Sequence, residues 1–160
     1  MKALIVYYTE TGNTKKLAHL IGEHLHHQGW AVDERWLQAP NEPKSFLVKC
    51  LKAFFRIRTK VESTFVVVSP YDLVCFGTPV WALEPVPAMR TYIQDCVGLV
   101  GKKTVAFVTY GSGLGKDRCL ENMAKILKKK EAREVKLLGV ASADIDNIET
   151  VREEIKKCLG

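Results

Sequence analysis

Ala3-Leu4-Ile5-Val6-Tyr7-Tyr8-Thr9-Glu10-Thr11-Gly12-Asn13-Thr14 decides how the rest of the chain is read. Its first half is a continuous apolar run of strand length, the pattern of a strand buried on both faces. After it, Leu17, Ala18, Leu20 and Ile21 recur on one side of a helical period. Between the two lies a turn of hydroxyls, one amide and one glycine. A strand, a tight polar turn and a helix start expose backbone N–H groups to an anion, and the helix dipole adds its positive end. Thr9, Thr11, Thr14 and Asn13 supply side-chain donors, and Gly12 lets the backbone bend close. The turn holds no Lys or Arg. It therefore lacks the lysine of a nucleoside-triphosphate loop, and it lacks the Gly-x-Gly-x-x-Gly that admits a pyrophosphate. What remains suits a terminal phosphate monoester wrapped by neutral donors. The plainer alternative is a capped helix, with Thr11 or Thr14 as N-cap.

Outward from this stretch, strand and helix signals alternate. Strands are expected at Lys2–Tyr8, Trp30–Leu37, Asp72–Thr78, Lys103–Tyr110 and Arg133–Ala143. Helices are expected at Thr14–Gln28, closed by Gly29, and at Pro85–Val97, Lys116–Lys130 and Asn147–Leu159. The alternation predicts an α/β fold: a parallel sheet with helices on both faces, in one domain spanning residues 1–160. In such sheets ligands bind beyond the carboxyl ends of the strands, where the strand order reverses. Three loops leave those ends and each begins with Thr: Thr9–Thr14, Thr78–Glu84 and Thr109–Lys116. The second and third bring Trp81 and Tyr110 beside exposed backbone, an arrangement suited to a flat heteroaromatic ring with polar edges.

These residues resemble the flavodoxin family. The resemblance is carried by Tyr7–Thr14, by Gly77-Thr78-Pro79-Val80-Trp81, by the run Pro87–Tyr92 and by the glycine-rich loop after the fourth long strand, and it covers essentially the whole chain in order. It implies a flavodoxin-like three-layer sandwich with a five-stranded parallel sheet in the order 2-1-3-4-5 and FMN as cofactor. By similarity, Thr9, Glu10, Thr11, Gly12, Asn13 and Thr14 form the phosphate loop, with the Glu10 side chain pointing away because a carboxylate facing a phosphate is repelled. Thr78, Pro79, Val80, Trp81 and Ala82 would line one side of the isoalloxazine, and Thr109, Tyr110, Gly111, Ser112 and Gly113 would meet the other side and the pyrimidine edge. The family implies an electron carrier between protein partners. The alternative is an FMN-dependent NAD(P)H or quinone oxidoreductase working by two-electron hydride transfer. No side chain is expected to act as an acid or base catalyst.

Two departures from the family pattern matter. Electron-transfer flavodoxins commonly carry a Gly in the loop after the third strand, whose peptide flips on reduction; here Val80-Trp81-Ala82-Leu83-Glu84 holds none. The expectation is low accumulation of the one-electron-reduced flavin. The second departure is a basic helical insertion at about residues 39–64. Lys44, Lys49, Lys52, Arg56, Arg58 and Lys60 follow one another there with no acid between them, and these six equal the whole net charge of +6. Phe46, Leu47, Cys50, Leu51, Phe54 and Phe55 recur at helical spacing opposite Lys49, Lys52 and Arg56. The plain expectation is a helix packed on the body with a solvated charged face. The alternatives are a lid near the flavin, a homodimer contact, and a dock for an acidic redox partner protein. Phe65-Val66-Val67-Val68 is strand-like with no clear place in the sheet.

The five cysteines contain no Cys-x-x-Cys and point to reduced thiols and a cytoplasmic protein. The apolar runs are too short to span a membrane, and the chain start does not read as a signal peptide. Nothing in the motifs supports nucleic-acid binding. His24, His26 and His27 read as solvated histidines at a helix C-terminus rather than a metal site.

Overall fold

The computed structural model describes residues 1–38, 45–55 and 67–160. β1 (Lys2–Tyr7), β2 (Ala31–Trp36) and β3 (Leu73–Trp81) are parallel neighbours, with β1 in the middle. After the two-residue β4 (Glu84–Pro85) come β5 (Lys103–Tyr110) and β6 (Glu134–Ala141). The long strands run β2-β1-β3-β5-β6, all parallel, which is the expected 2-1-3-4-5 order. β4 is an addition the sequence reading lacks: it pairs antiparallel with the end of β3.

The sheet separates two apolar layers. On one face α1 (Asn13–His27) and α5 (Ile148–Leu159) cover Ala3, Ile5, Cys75, Val105 and Phe107. On the other, α3 (Pro87–Asp95) and α4 (Lys116–Lys129) cover Leu4, Val6, Phe76, Ala106 and Val108. Alternate residues of each central strand feed opposite layers, so the strands read as unbroken apolar runs. The edge strand β2 carries Asp33, Glu34 and Arg35 and is largely exposed, which discourages pairing with another sheet edge. The cysteines are all free, with Cys75, Cys96 and Cys119 buried; burial pushes the Cys96 thiol up to about 11, so it stays protonated.

Helix starts and ends follow local chemistry. Gly29 takes φ 82° just past α1, as the helix-ending reading expects. Proline opens α3 at its first turn. The third strand runs longer than expected, through Thr78-Pro79-Val80-Trp81. Proline is tolerated because β1 stops at the Tyr7–Gly77 register pair, leaving β3 without a neighbour on that side, while β5 pairs on the other side as far as Pro79–Thr109.

Of the basic insertion, the structure describes α2 (Phe46–Phe54) and its flanking Ser45 and Phe55. Lys44, Arg56, Arg58 and Lys60 lie outside the described residues, as do Phe65 and Val66. The inward side of α2 draws on both expected stripes: Cys50 of the apolar set packs against the apolar layer, and Lys49 of the charged set turns in as well. Ala53 is fully buried and the Lys49 side chain nearly so, whereas Val48, Leu51 and Phe55 are exposed. Val67 makes an isolated parallel bridge to Val97 and does not enter the main sheet.

Candidate functional site

The strand order reverses between β1 and β3, and the three threonine-led segments meet at their carboxyl ends. At the end of β1, Thr9 Oγ1 accepts the Gly12 N–H at 3.0 Å, folding the turn back on itself. Gly12 takes φ 92°, and a Cβ there would meet nothing within 4 Å, so the turn opens on free space. Gly12 is the N-cap of α1, no side chain caps the helix, and the first turn holds no acid. Neither Thr11 nor Thr14 is the cap. Helix geometry leaves the N–H groups of the first turn without intrahelical acceptors. An uncapped, unopposed positive helix end therefore faces the crevice. Glu10 and Thr11 are exposed, and Asn13 is half-buried.

Thr14 is buried, and its hydroxyl lies 2.8 Å from that of Thr109 at the end of β5. One of the two donates; the other keeps its own O–H free for a further acceptor. The pair ties the first loop to the third across 95 residues of sequence.

The segment from Thr78 to Glu84 is built as a hairpin. Thr78 is buried, donates to the Pro79 carbonyl at 3.0 Å and accepts the Val86 N–H at 3.1 Å. Trp81 and Glu84 pair across a two-residue turn, Ala82-Leu83, with φ of 47° and 70°. Positive φ at both central residues is the hairpin signature that favours Asn-Gly. Held instead by Ala and Leu, it costs about 1–2 kcal/mol per residue. Four contacts hold the turn in place. Glu84, 2% exposed, accepts from Arg90 Nη2 at 2.5 Å and from Asn122 Nδ2 at 2.9 Å. Arg90, 5% exposed, also donates to the Ala53 carbonyl of α2 at 3.4 Å. Gly115, at φ 87°, lets Leu83 approach so closely that an added Cβ would stand 2.9 Å from the Leu83 Cα.

Trp81 is 3% exposed and meets Tyr8 edge-on, ring centroids 5.7 Å apart. Its indole is part of the apolar layer, with little of it open to solvent. Tyr110 is half-buried, and Lys116 Nζ lies 5.6 Å from its ring centroid. Gly111, Ser112 and Gly113 are exposed, with open space where a Cβ would sit at either glycine. Pro79, Val80 and Ala82 are half-buried.

Four residues of this region were not read from the sequence as part of the site. Glu84, Arg90 and Asn122 join the hairpin, α3 and α4; their separation in sequence gave no signal. Lys49 is the fourth. Its ammonium pairs with the Glu10 carboxylate and lies 5.3 Å from the Trp81 ring centroid, and the side chain is 11% exposed. Burial, and secondarily the negative field of Glu10, raises the thiol pKa of neighbouring Cys50. The loop that lacks a cation of its own receives one from α2.

No family model matches the sequence, and no curated protein matches it. Solved structures do match. A candidate flavoprotein from Bacteroides uniformis superposes with a TM-score of 0.75 at 22% identity, covering 97% of this chain and 97% of that one. A flavoprotein from Lactobacillus acidophilus, solved in complex with FMN, gives 0.64 at 19% identity over 92% and 98%. The two-electron-reduced flavodoxin of Megasphaera elsdenii gives 0.65 at 22% identity over 98% and 99%. An NADH:FMN oxidoreductase gives 0.66 at 15% identity over 98% and 88%. At these identities the likeness establishes the fold: this chain has the flavodoxin-like fold.

Proposed function

We propose that the chain binds FMN at the β1–β3 switch point and works as a redox protein that passes electrons between protein partners. The observation that carries this reading is the start of α1: an uncapped helix end with no acid in its first turn, opening on free space beside Thr11 and Asn13. Neutral donors around a positive helix end fit a phosphate monoester. Thr9, Glu10, Thr11, Gly12, Asn13 and Thr14 form the phosphate loop in this reading. The Thr78–Ala82 strand end and Thr109–Gly113 flank the ring, with backbone more than side chains on the hairpin side, because Trp81 is committed to the apolar layer. The bound FMN supplies the reversible uptake of electrons. The protein binds it, orients it and keeps water from one edge.

The partner in this reading is an acidic protein that docks near the ring and α2. The free cysteines suit a reducing compartment, the cytoplasm. Among the described residues, no helix is long and apolar enough to cross a membrane.

Adding FMN to apoprotein should give a yellow complex that prefers FMN to riboflavin. Equal affinity for the two would remove the phosphate assignment. A second reading, an FMN-dependent NAD(P)H or quinone oxidoreductase, is favoured by the glycine-free, firmly held Ala82–Leu83 turn, which lacks the flexible residue of a one-electron carrier. Steady consumption of NAD(P)H with a quinone and no added protein partner would support it over the carrier.

A further inference from the structure

Glu10 is the one formally charged side chain within Thr9–Thr14, and it is negative. Standing alone beside a phosphate loop, it would repel the dianion the loop is shaped to hold. Two lysines follow it on α1. Lys16 is turned to Asp146 at 2.6 Å, and Lys15 is exposed. The cation that meets Glu10 comes instead from 39 residues away: Lys49 on α2.

We propose that Lys49 is an electrostatic positioning residue of the phosphate site. It neutralises Glu10 and holds that carboxylate away from the incoming anion, so that the loop selects a phosphate-bearing flavin. The proposal rests on the FMN reading above and adds a residue to it.

The setting of Lys49 supports this role. Its ammonium is shared between the Glu10 carboxylate and the face of Trp81, and its side chain is nearly buried. A cation over an indole is stabilised without neutralising its charge, so the field it projects toward the loop is retained. The helix that carries it is anchored at its far end: Ala53 is fully buried and its carbonyl accepts from the buried Arg90. Because α2 is fixed to α3 through Arg90, Lys49 is held at a set place. A freely swinging surface lysine would be screened and would contribute little.

The test compares wild type with Lys49→Met, Lys49→Arg, Glu10→Gln and the double variant Lys49→Met/Glu10→Gln. Each apoprotein is titrated with FMN and with riboflavin, and binding is read from the quenching of flavin fluorescence. Lys49→Met should weaken FMN by about tenfold, the scale of one uncompensated charge several ångströms away in a partly solvated site, and change riboflavin by no more than about twofold. Lys49→Arg should retain most of the FMN affinity. Glu10→Gln should restore FMN affinity in the Lys49→Met background. The Lys49→Met defect should shrink as salt is raised.

Equal losses for both flavins would make Lys49 a structural prop of α2 and overturn the proposal. So would no loss. A selective loss that Glu10→Gln does not rescue would also overturn it, in favour of direct contact between Lys49 and the phosphate. If wild type itself fails to prefer FMN to riboflavin, the phosphate reading falls and takes this one with it. A wild-type preference with a silent Lys49→Met would sink this inference alone.

Discussion

The two sides of the crevice are built in opposite ways. On the hairpin side, the turn is held by contacts with the body of the protein. Glu84 meets Arg90 and Asn122, Leu83 is seated against Gly115, and Thr78 donates to the Pro79 carbonyl and accepts the Val86 N–H at the start of α3. On the phosphate-loop side, a helix end is left uncapped, with open space at Gly12 and Thr11 exposed beside it. The Thr9–Gly12 and Thr14–Thr109 bonds and the Glu10–Lys49 pair restrain it. The strained side is over-determined by the core, as a backbone held at unfavourable φ requires. The open side keeps its hydrogen-bonding capacity for a ligand. The contrast predicts that damage to the hairpin will register first as lost stability, and damage to the loop as lost affinity.

The largest expected effect is Arg90→Met. It removes the cation paired with the buried Glu84 carboxylate and should lower stability by about 3–5 kcal/mol, read as a shifted urea midpoint at constant slope. Adding Glu84→Gln should recover a good part of that loss. A loss below about 1 kcal/mol in the single variant would mean that the network does not hold the hairpin.

Gly115→Ala comes next. It places a Cβ against the Leu83 backbone at a positive φ, and about 2–4 kcal/mol should be lost. FMN and riboflavin should weaken together, since the whole hairpin moves. A selective FMN defect would contradict the division between the two sides.

On the open side, Thr11→Ala should leave stability within about 0.5 kcal/mol of wild type, because the residue is exposed. Its FMN affinity should fall by about 1.5–3 kcal/mol, the worth of one donor to a charged phosphate, with little change for riboflavin. Thr14→Ala is a less clean probe, because Thr14 also carries the tie to Thr109.

A finer question is whether the firmly held turn can rearrange. Stepwise anaerobic reduction of the flavin-loaded protein, followed by visible absorbance, should pass almost directly from oxidised to fully reduced flavin. Ala82→Gly should raise stability by no more than about 1.5 kcal/mol, because the relief at φ 47° is partly offset by the freer unfolded chain. It should raise the one-electron-reduced band only if the turn, rather than its surroundings, is the restraint. A large band in wild type would show that Ala and Leu can serve where glycine was expected.

The smallest effect concerns docking. Lys49 is engaged inside, so Lys52, half-buried, is the cation that α2 has left to offer a partner. Lys52→Glu should slow electron transfer to an acidic protein by about twofold at low salt and much less at 0.15 M salt, where the Debye length is about 8 Å.

Much of this was legible in the residues. The alternation of apolar runs with helical periods gave the layers, and the three threonine-led loops converge as expected. What escaped has a common cause. Thr78-Pro79 reads locally as a turn, and only the early end of β1 makes that proline harmless inside a strand. Ala82-Leu83 carries no mark of positive φ, since the conformation is imposed by Glu84, Arg90 and Gly115 from outside the turn. Helical spacing placed Lys49 on a solvated stripe and Leu51 and Phe55 on the packed face; the Glu10 carboxylate and the Trp81 ring hold Lys49 inward, and Leu51 and Phe55 are exposed. Each miss is a tertiary contact overriding a local preference.

The central position of β1 also bears on how the chain is made. Lys2–Tyr7 leaves the ribosome before the other strands of the sheet, and β2 can cover one of its edges as soon as residue 36 has emerged. The other edge must wait for Leu73–Gly77, with the basic helix synthesised in between. Through that interval the nascent chain presents an apolar strand with an open hydrogen-bonding edge, the kind of surface that recruits chaperones or other nascent chains. Slow emergence of the residues between β2 and β3 is therefore expected to lower the soluble yield of this protein.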